Sequence, residues 1–303
     1  MPRRAFPELN PEEKDAARAI AGLIDMVRRD DDLLHQHWEP VSGSRLWQDD
    51  QKIPHYPISD FATQQFATTI GCIEALATWV GYEDRGDHLS LSTQPFGGYA
   101  LLRSAIESAA WAMWVLYPEN YKLRIRRRLA QQADEWRSAE KFAKSTGRKS
   151  PDIQGKLDRI QRFGDEAGVP EWDVFISIKA DSARAKAGKP SNRPPTITDL
   201  LKYVERHRRE ERGLSFYATW QLASGSAHGK FWVNPIIQDL VVEEGSETKY
   251  GATARATTKY GMLLLALDRC VEGLQLALAR FIELGSHNGQ KPTPVHAPSL
   301  MDH

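Results

Sequence analysis

Cysteine is scarce in this chain of 303 residues: only Cys72 and Cys270 occur. Both fall in apolar, helix-periodic stretches, which suits buried free thiols in a reducing compartment better than a disulfide or a nucleophile. No run approaches the roughly 18 apolar residues of a membrane span. The opening M-P-R-R-A-F-P-E-L-N-P lacks the apolar core of a signal peptide. A cytoplasmic location with no membrane partner is therefore expected. Net charge is missing too, because 40 Lys and Arg balance 40 Asp and Glu. No whole-molecule field draws the chain to nucleic acid or anionic lipid, so any such binding must use a local patch.

Familiar chemical motifs are also absent. H-E-x-x-H, C-x-x-C, G-x-G-x-x-G and G-x-S-x-G do not occur, which argues against zincin, dithiol, dinucleotide and serine-hydrolase chemistry. A di-iron bundle needs paired E-x-x-H motifs, and none is present. The run Ala187-Gly-Lys-Pro-Ser191 lacks the glycine spacing and preceding strand of a P-loop. His35, His37 and His55 have no second ligand cluster and read as loop histidines. No cofactor and no metal are expected.

What is present is helical periodicity. The most informative stretch is Gly98 to Pro118, where Leu102, Ile106, Ala109, Met113 and Leu116 recur at three- and four-residue steps. Ala110, Trp111 and Trp114 extend this stripe, so the helix is apolar nearly all round and belongs in the middle of a bundle. Before it, Ile20, Leu23, Ile24 and Val27 mark one helix and Phe66, Ile70, Ile73, Ala77 and Val80 another, with an irregular loop expected over 35–58. After it come helices around 118–144, 153–164, 196–212 and 214–227, and a long last one from Tyr260 to Phe281. A mainly α fold of seven or eight helices is expected, with at most one small β-hairpin between about 236 and 252. It forms a single domain over 10–285 with a long loop at 181–195, a flexible N-terminus at 1–9 and a disordered tail at 286–303.

Three polar features stand out. Arg103 and Glu107 interrupt the apolar helix at i, i+4, in the less favourable order for a simple surface pair. The plain reading is an internal pair that fixes register; the functional reading is a ligand site. Second, Tyr217-Ala-Thr-Trp-Gln-Leu-Ala-Ser-Gly-Ser-Ala-His228-Gly229 ends a small-residue helix on a histidine, which is either a plain C-terminal cap or a functional group. Since Glu107 alone cannot satisfy a guanidinium's five donors, Arg103, Glu107 and His228 are expected to converge, lined by Trp111, Tyr217 and Ser224. Third, Arg124, Arg126, Arg127 and Arg128 crowd one helix start. An exposed, salt-bridged face is the expectation there. Arg124, Arg127 and Arg128, with Arg206, Arg208 and Arg209, are the nucleic-acid candidates.

The segment L-L-R-S-A-I-E-S-A-A-W-A-M-W-V-L-Y-P, the arginine-rich Arg124–Arg128 and the later Y-A-T-W-Q-L-A-S-G-S-A-H-G resemble a group of bacterial, often actinobacterial, helical proteins. That group is in turn similar to the HEPN superfamily of helical bundles. The resemblance covers the core helices and implies a defence or toxin–antitoxin role, with RNA, a nucleotide or a protein as partner. Catalytic members carry arginine, four to six residues, then histidine on one helix. Upstream of His228 those positions hold Gln221, Leu222 and Ala223, so that ribonuclease motif is absent. Three readings follow: a binding protein with a polar pocket, a ribonuclease-like hydrolase using His228 with an arginine from another helix, and a self-associating structural bundle. Long apolar helices and nine tryptophans also raise the expectation of a homodimer.

Overall fold

A computed structural model describes residues 11–80, 83–84, 89–90, 97–208, 213–242, 244–246, 249 and 254–287. The expected flexible N-terminus, all of the expected tail beyond His287, and Arg209 lie outside the described residues. The fold is mainly α, as the periodicity requires. Its long helices are α1 (Pro11–Gln36), α3 (Ile58–Val80), α4 (Gly97–Leu116), α5 (Tyr121–Ser145) and α11 (Tyr260–Gly285). Shorter ones are α2 (Arg45–Lys52), α6 (Ile153–Glu166), α7 (Ile178–Lys186), α8 (Ile197–Glu205), α9 (Phe216–Ala227) and α10 (Asn234–Ile237). No described helix is long and apolar enough to cross a membrane.

Helix α4 is the hub. It packs against α3, α11, α9, α8 and α5, and Leu102, Ile106, Ala109, Met113 and Leu116 are fully buried. Ala110 and Trp114 on the adjoining face are buried as well. Close approach on one side depends on Gly273 of α11, where a Cβ would stand 3.2 Å from Ala109 Cβ and 3.1 Å from Phe216 Cε1. An added methyl there requires these neighbours to give by a few tenths of an ångström. Cys270 on the same helix is buried and Cys72 half-buried; both are free thiols.

Helix starts are tied across elements. Glu13 of α1 accepts the Tyr260 N–H that opens α11, at 2.6 Å. Glu205 at the end of α8 accepts the Phe216 N–H that opens α9, at 2.7 Å. Asp50 of α2 accepts the N–H groups of Ile58 and Ser59 at the start of α3, at 2.6 and 3.3 Å. Each carboxylate satisfies orphan donors that a local cap usually takes, and each fixes one helix against another.

The structure departs from the sequence expectation in four places. Eight residues of the expected loop at 35–58 form α2, capped by Ser44, whose Oγ accepts the Trp47 N–H; flanking prolines and glycines mask so short a helix. The expected loop at 181–195 begins inside α7, capped by Ser177. Asp181 is buried there and accepts the Asn192 N–H at 2.8 Å, folding the loop back on its helix. The hairpin pairs β3 (Gln238–Val242) with β4 (Ala254–Thr258) in the register Gln238↔Thr258 to Val242↔Ala254, so its second strand lies beyond the expected range. As part of the same departure, the two-residue strands β1 (Glu83–Asp84) and β2 (Leu89–Ser90) form a further antiparallel pair beyond the single hairpin expected.

The fourth departure concerns the arginines. Arg124, Arg126 and Arg128 are buried, not an exposed salt-bridged face. Arg124 meets Asp49 of α2 with 2.6 and 2.7 Å contacts and donates to the Pro118 and Glu119 carbonyls at 2.7 and 2.9 Å. Arg126 is held by the Pro170 carbonyl and the Asn192 side chain. Arg127 lies over the rings of Trp114 and Tyr203. Arg128 donates to Gln131 and Gln132, both at 2.7 Å, and covers Phe61. The α5 start can absorb this charge because its donors find carbonyl, amide and carboxylate acceptors on all sides.

Asp50 makes the fold pH-sensitive. Burial pushes its carboxyl from the ordinary 3.8 up to about 6, against the N–H bonds it accepts. A folded value above the unfolded one means the native state holds the extra proton between these values. The stability it confers is therefore full below about pH 4 and lost as pH rises through about 6. A rise of that size amounts to about 3 kcal/mol. Urea titrations from pH 4 to 7 are expected to show this fall in the parent and a flatter profile in Asp50→Asn; parallel profiles would refute the assignment.

Candidate functional site

Helix α4 carries two charged side chains, Arg103 and Glu107, on successive turns of the side that meets α9. Helix α9 is built to end there. Gly229 takes a left-handed backbone with φ +63°, the Lys230 N–H returns to the Gly225 carbonyl at 2.9 Å and the Gly229 N–H to the Ser226 carbonyl at 3.0 Å. This pair of bonds is the Schellman arrangement, and it requires a residue tolerant of positive φ after His228. His228 is thereby fixed as the exposed C-terminal cap of the helix.

The three groups meet. Arg103 Nε donates to Glu107 Oε1 at 3.0 Å, and Arg103 Nη1 lies 3.0 Å from His228 Nε2. The Trp220 indole N–H donates to the same Glu107 oxygen at 2.6 Å, and the guanidinium lies over the Trp220 ring with its carbon 5.8 Å from the centroid. Tyr217 stacks on Trp220 at 6.2 Å and 18°, and its hydroxyl accepts from Gln221 at 3.1 Å. The side chains of Arg103 and Glu107 are each 30% exposed, so the pair lies at the rim of the core and opens to solvent rather than sitting in a sealed pocket. Ser224 contributes its carbonyl to the His228 N–H at 3.1 Å. Trp111 stands one turn beyond Glu107 and packs edge-to-face on Trp114 at 5.5 Å, facing the core.

Trp220 is the member that sequence reasoning passed over. It lies at a four-residue step from Ser224, which lies at another from His228, so the helical face was the available signal. Beyond the cap, Lys230 is exposed, as are Phe231 at 88% and Trp232 at 54%. Trp232 is seated on α9 by Gly225, where a Cβ would lie 2.9 Å from Trp232 Cζ2 and collide with Val233 Cγ2.

The nucleic-acid candidates elsewhere fare differently. Arg124 and Arg128 are buried, which leaves them no open face for a phosphate, and Arg127 is half-buried against two rings. Arg208 pairs with Glu205 at 3.1 Å and has a 9% exposed side chain; Arg206 is exposed. Among the described residues no three His, Cys, Asp or Glu side chains gather for a metal ion. No protein-family model matches the chain, and no curated protein or solved structure matches it.

The Arg103–His228 contact dictates a tautomer. A guanidinium only donates, so Nε2 must accept and the imidazole is neutral with its proton on Nδ1. Long-range ¹⁵N correlation spectra at neutral pH are expected to show this form for His228. A proton on Nε2 would contradict the contact.

Proposed function

We infer that this chain is a HEPN-like helical protein of the defence or toxin–antitoxin kind, and that it holds the phosphate of a nucleotide or RNA strand at Arg103 and His228. The observation that carries this reading is the 3.0 Å approach of Arg103 Nη1 to His228 Nε2 at a solvent-open rim. Glu107 and the Trp220 indole hold the guanidinium in place before any ligand arrives, which removes part of the ordering cost of binding. Arg103 Nη2 has no partner among the described residues, and a planar fork of this kind matches phosphate oxygens. Exposed Lys230 adds a second cation, and Phe231 and Trp232 offer ring faces of the sort on which unpaired bases stack. The protein-partner arm of the reading, homodimerisation included, draws on the exposed apolar side chains Phe142, Phe175 and Ile178.

One observation favours a second reading, RNA cleavage. The arginine missing from α9 upstream of His228 has a counterpart in Arg103 on α4. With Arg103 turned from Nε2 onto the phosphate, neutral Nε2 would take the 2′-hydroxyl proton as that oxygen attacks phosphorus, while the P–O5′ bond breaks and the 5′-oxygen leaves with a proton from water. Arg103 would bear the charge developing on the phosphoryl oxygens.

Fluorescence anisotropy with a short oligoribonucleotide separates the readings. Binding is expected, with a shallow salt slope of about −1.4, as the two cations Arg103 and Lys230 would give on a single strand at about −0.7 each. Arg103→Ala is expected to weaken it about tenfold or more, while costing the fold only about 1–2 kcal/mol at a partly exposed pair. Products ending in 2′,3′-cyclic phosphate that vanish in His228→Ala would establish cleavage. Absence of binding to RNA and to mononucleotides alike would overturn both readings.

A further inference from the structure

A half-open concavity lies at the opposite end of α4, between α2 and the start of α5. It holds about 320 Å³ and is lined by Arg45, Asp49, Lys52, Glu119, Tyr121 and Arg124, among others. That space exceeds by far the ~30 Å³ share of one water and reaches the range of small-molecule sites.

Three of its carboxylate oxygens are already taken. Asp49 Oδ2 receives two contacts from Arg124, at 2.6 and 2.7 Å. Glu119 Oε2 receives Arg45 at 2.7 Å and Oε1 meets Arg280 at 2.9 Å. Those two arginines pull the Glu119 carboxyl down to about 2, so it stays ionised and occupied. The donors are not spent in the same way. Lys52 is exposed and makes no close ion pair among the described residues, although its charge reaches Asp49; its ammonium sits 5.4 Å over the Tyr121 ring. Lys122, likewise without a close ion pair among the described residues, lies 5.9 Å from the same ring. Arg45 uses only Nη2, on the Glu119 side chain and carbonyl, leaving Nε and Nη1. Of the lining charges, three are cationic (Arg45, Lys52, Arg124) and two anionic (Asp49, Glu119). The excess positive charge therefore rests on Lys52, beside a ring that can wall an organic body.

We propose that this cavity binds a small organic oxyanion, a phosphate monoester or a carboxylate, with Lys52 and Arg45 on its oxygens and Tyr121 against its carbon part. The site is independent of the Arg103–His228 group. Residue 103 lies near one end of α4 and residue 119 just past the other, roughly 24 Å apart along a helix rise of 1.5 Å per residue.

Calorimetric titration of the full chain with inorganic phosphate and with succinate, in chloride at constant ionic strength, tests the proposal. Saturable binding of at least one is expected, and which of them binds identifies the oxyanion. Lys52→Gln is expected to weaken it about tenfold or more, as loss of one charge-assisted contact does, with the melting temperature of the free protein unchanged. Arg103→Ala is expected to leave it intact. Failure of both anions to bind, equal affinity in Lys52→Gln, or loss of binding in Arg103→Ala would overturn the assignment.

Discussion

The enclosure of α4 is the constraint from which the rest follows. A helix packed against α3, α11, α9, α8 and α5 has almost no face left for solvent, and its sequence supplies apolar or small side chains nearly throughout. A charge on such a helix must reach an edge or find partners, because desolvating it alone costs several kcal/mol. Arg103 and Glu107 do both: they sit at the α9 seam, pair with each other, and recruit Trp220 and His228. The candidate site is the solution to a burial problem, which explains why its members come from two helices 125 residues apart.

The same physics at the other end of α4 gives a different result. Arg124 is sealed beneath the surface with Asp49 and two backbone carbonyls. Losing either partner strands a buried charge, a cost of about 3–5 kcal/mol, although the pair itself adds little over a well-packed apolar substitute. What it secures is register: α2 is locked to the start of α5, and Asp50, next in line on α2, is thereby presented to the start of α3. Glu119 lies between the two arrangements, shared by Arg45 and Arg280, and ties α2 to α11.

Much of this was legible in the sequence, and the limits have physical causes. The α4 stripe was readable because every third or fourth residue is apolar, and the meeting of Arg103, Glu107 and His228 followed from counting guanidinium donors. Helices α2 and α7 escaped because eight or nine residues between prolines and glycines carry too little periodicity to register. The arginines of α5 misled for a different reason. A run of like charge usually marks a solvated face, and nothing local reveals that Asp49, Pro170 and Asn192 arrive from distant segments to enclose it. Caps donated across the fold, such as Glu13 to α11, are invisible for the same reason.

The central claim is that Arg103 and His228 act as one unit. A double-mutant cycle measures this directly: the affinity for a short oligoribonucleotide in the parent, Arg103→Ala, His228→Ala and the double variant. If the guanidinium and imidazole grip one phosphate together, the double variant loses little more than the worse single one, with a coupling of about 1 kcal/mol or more. Losses that simply add would contradict the account.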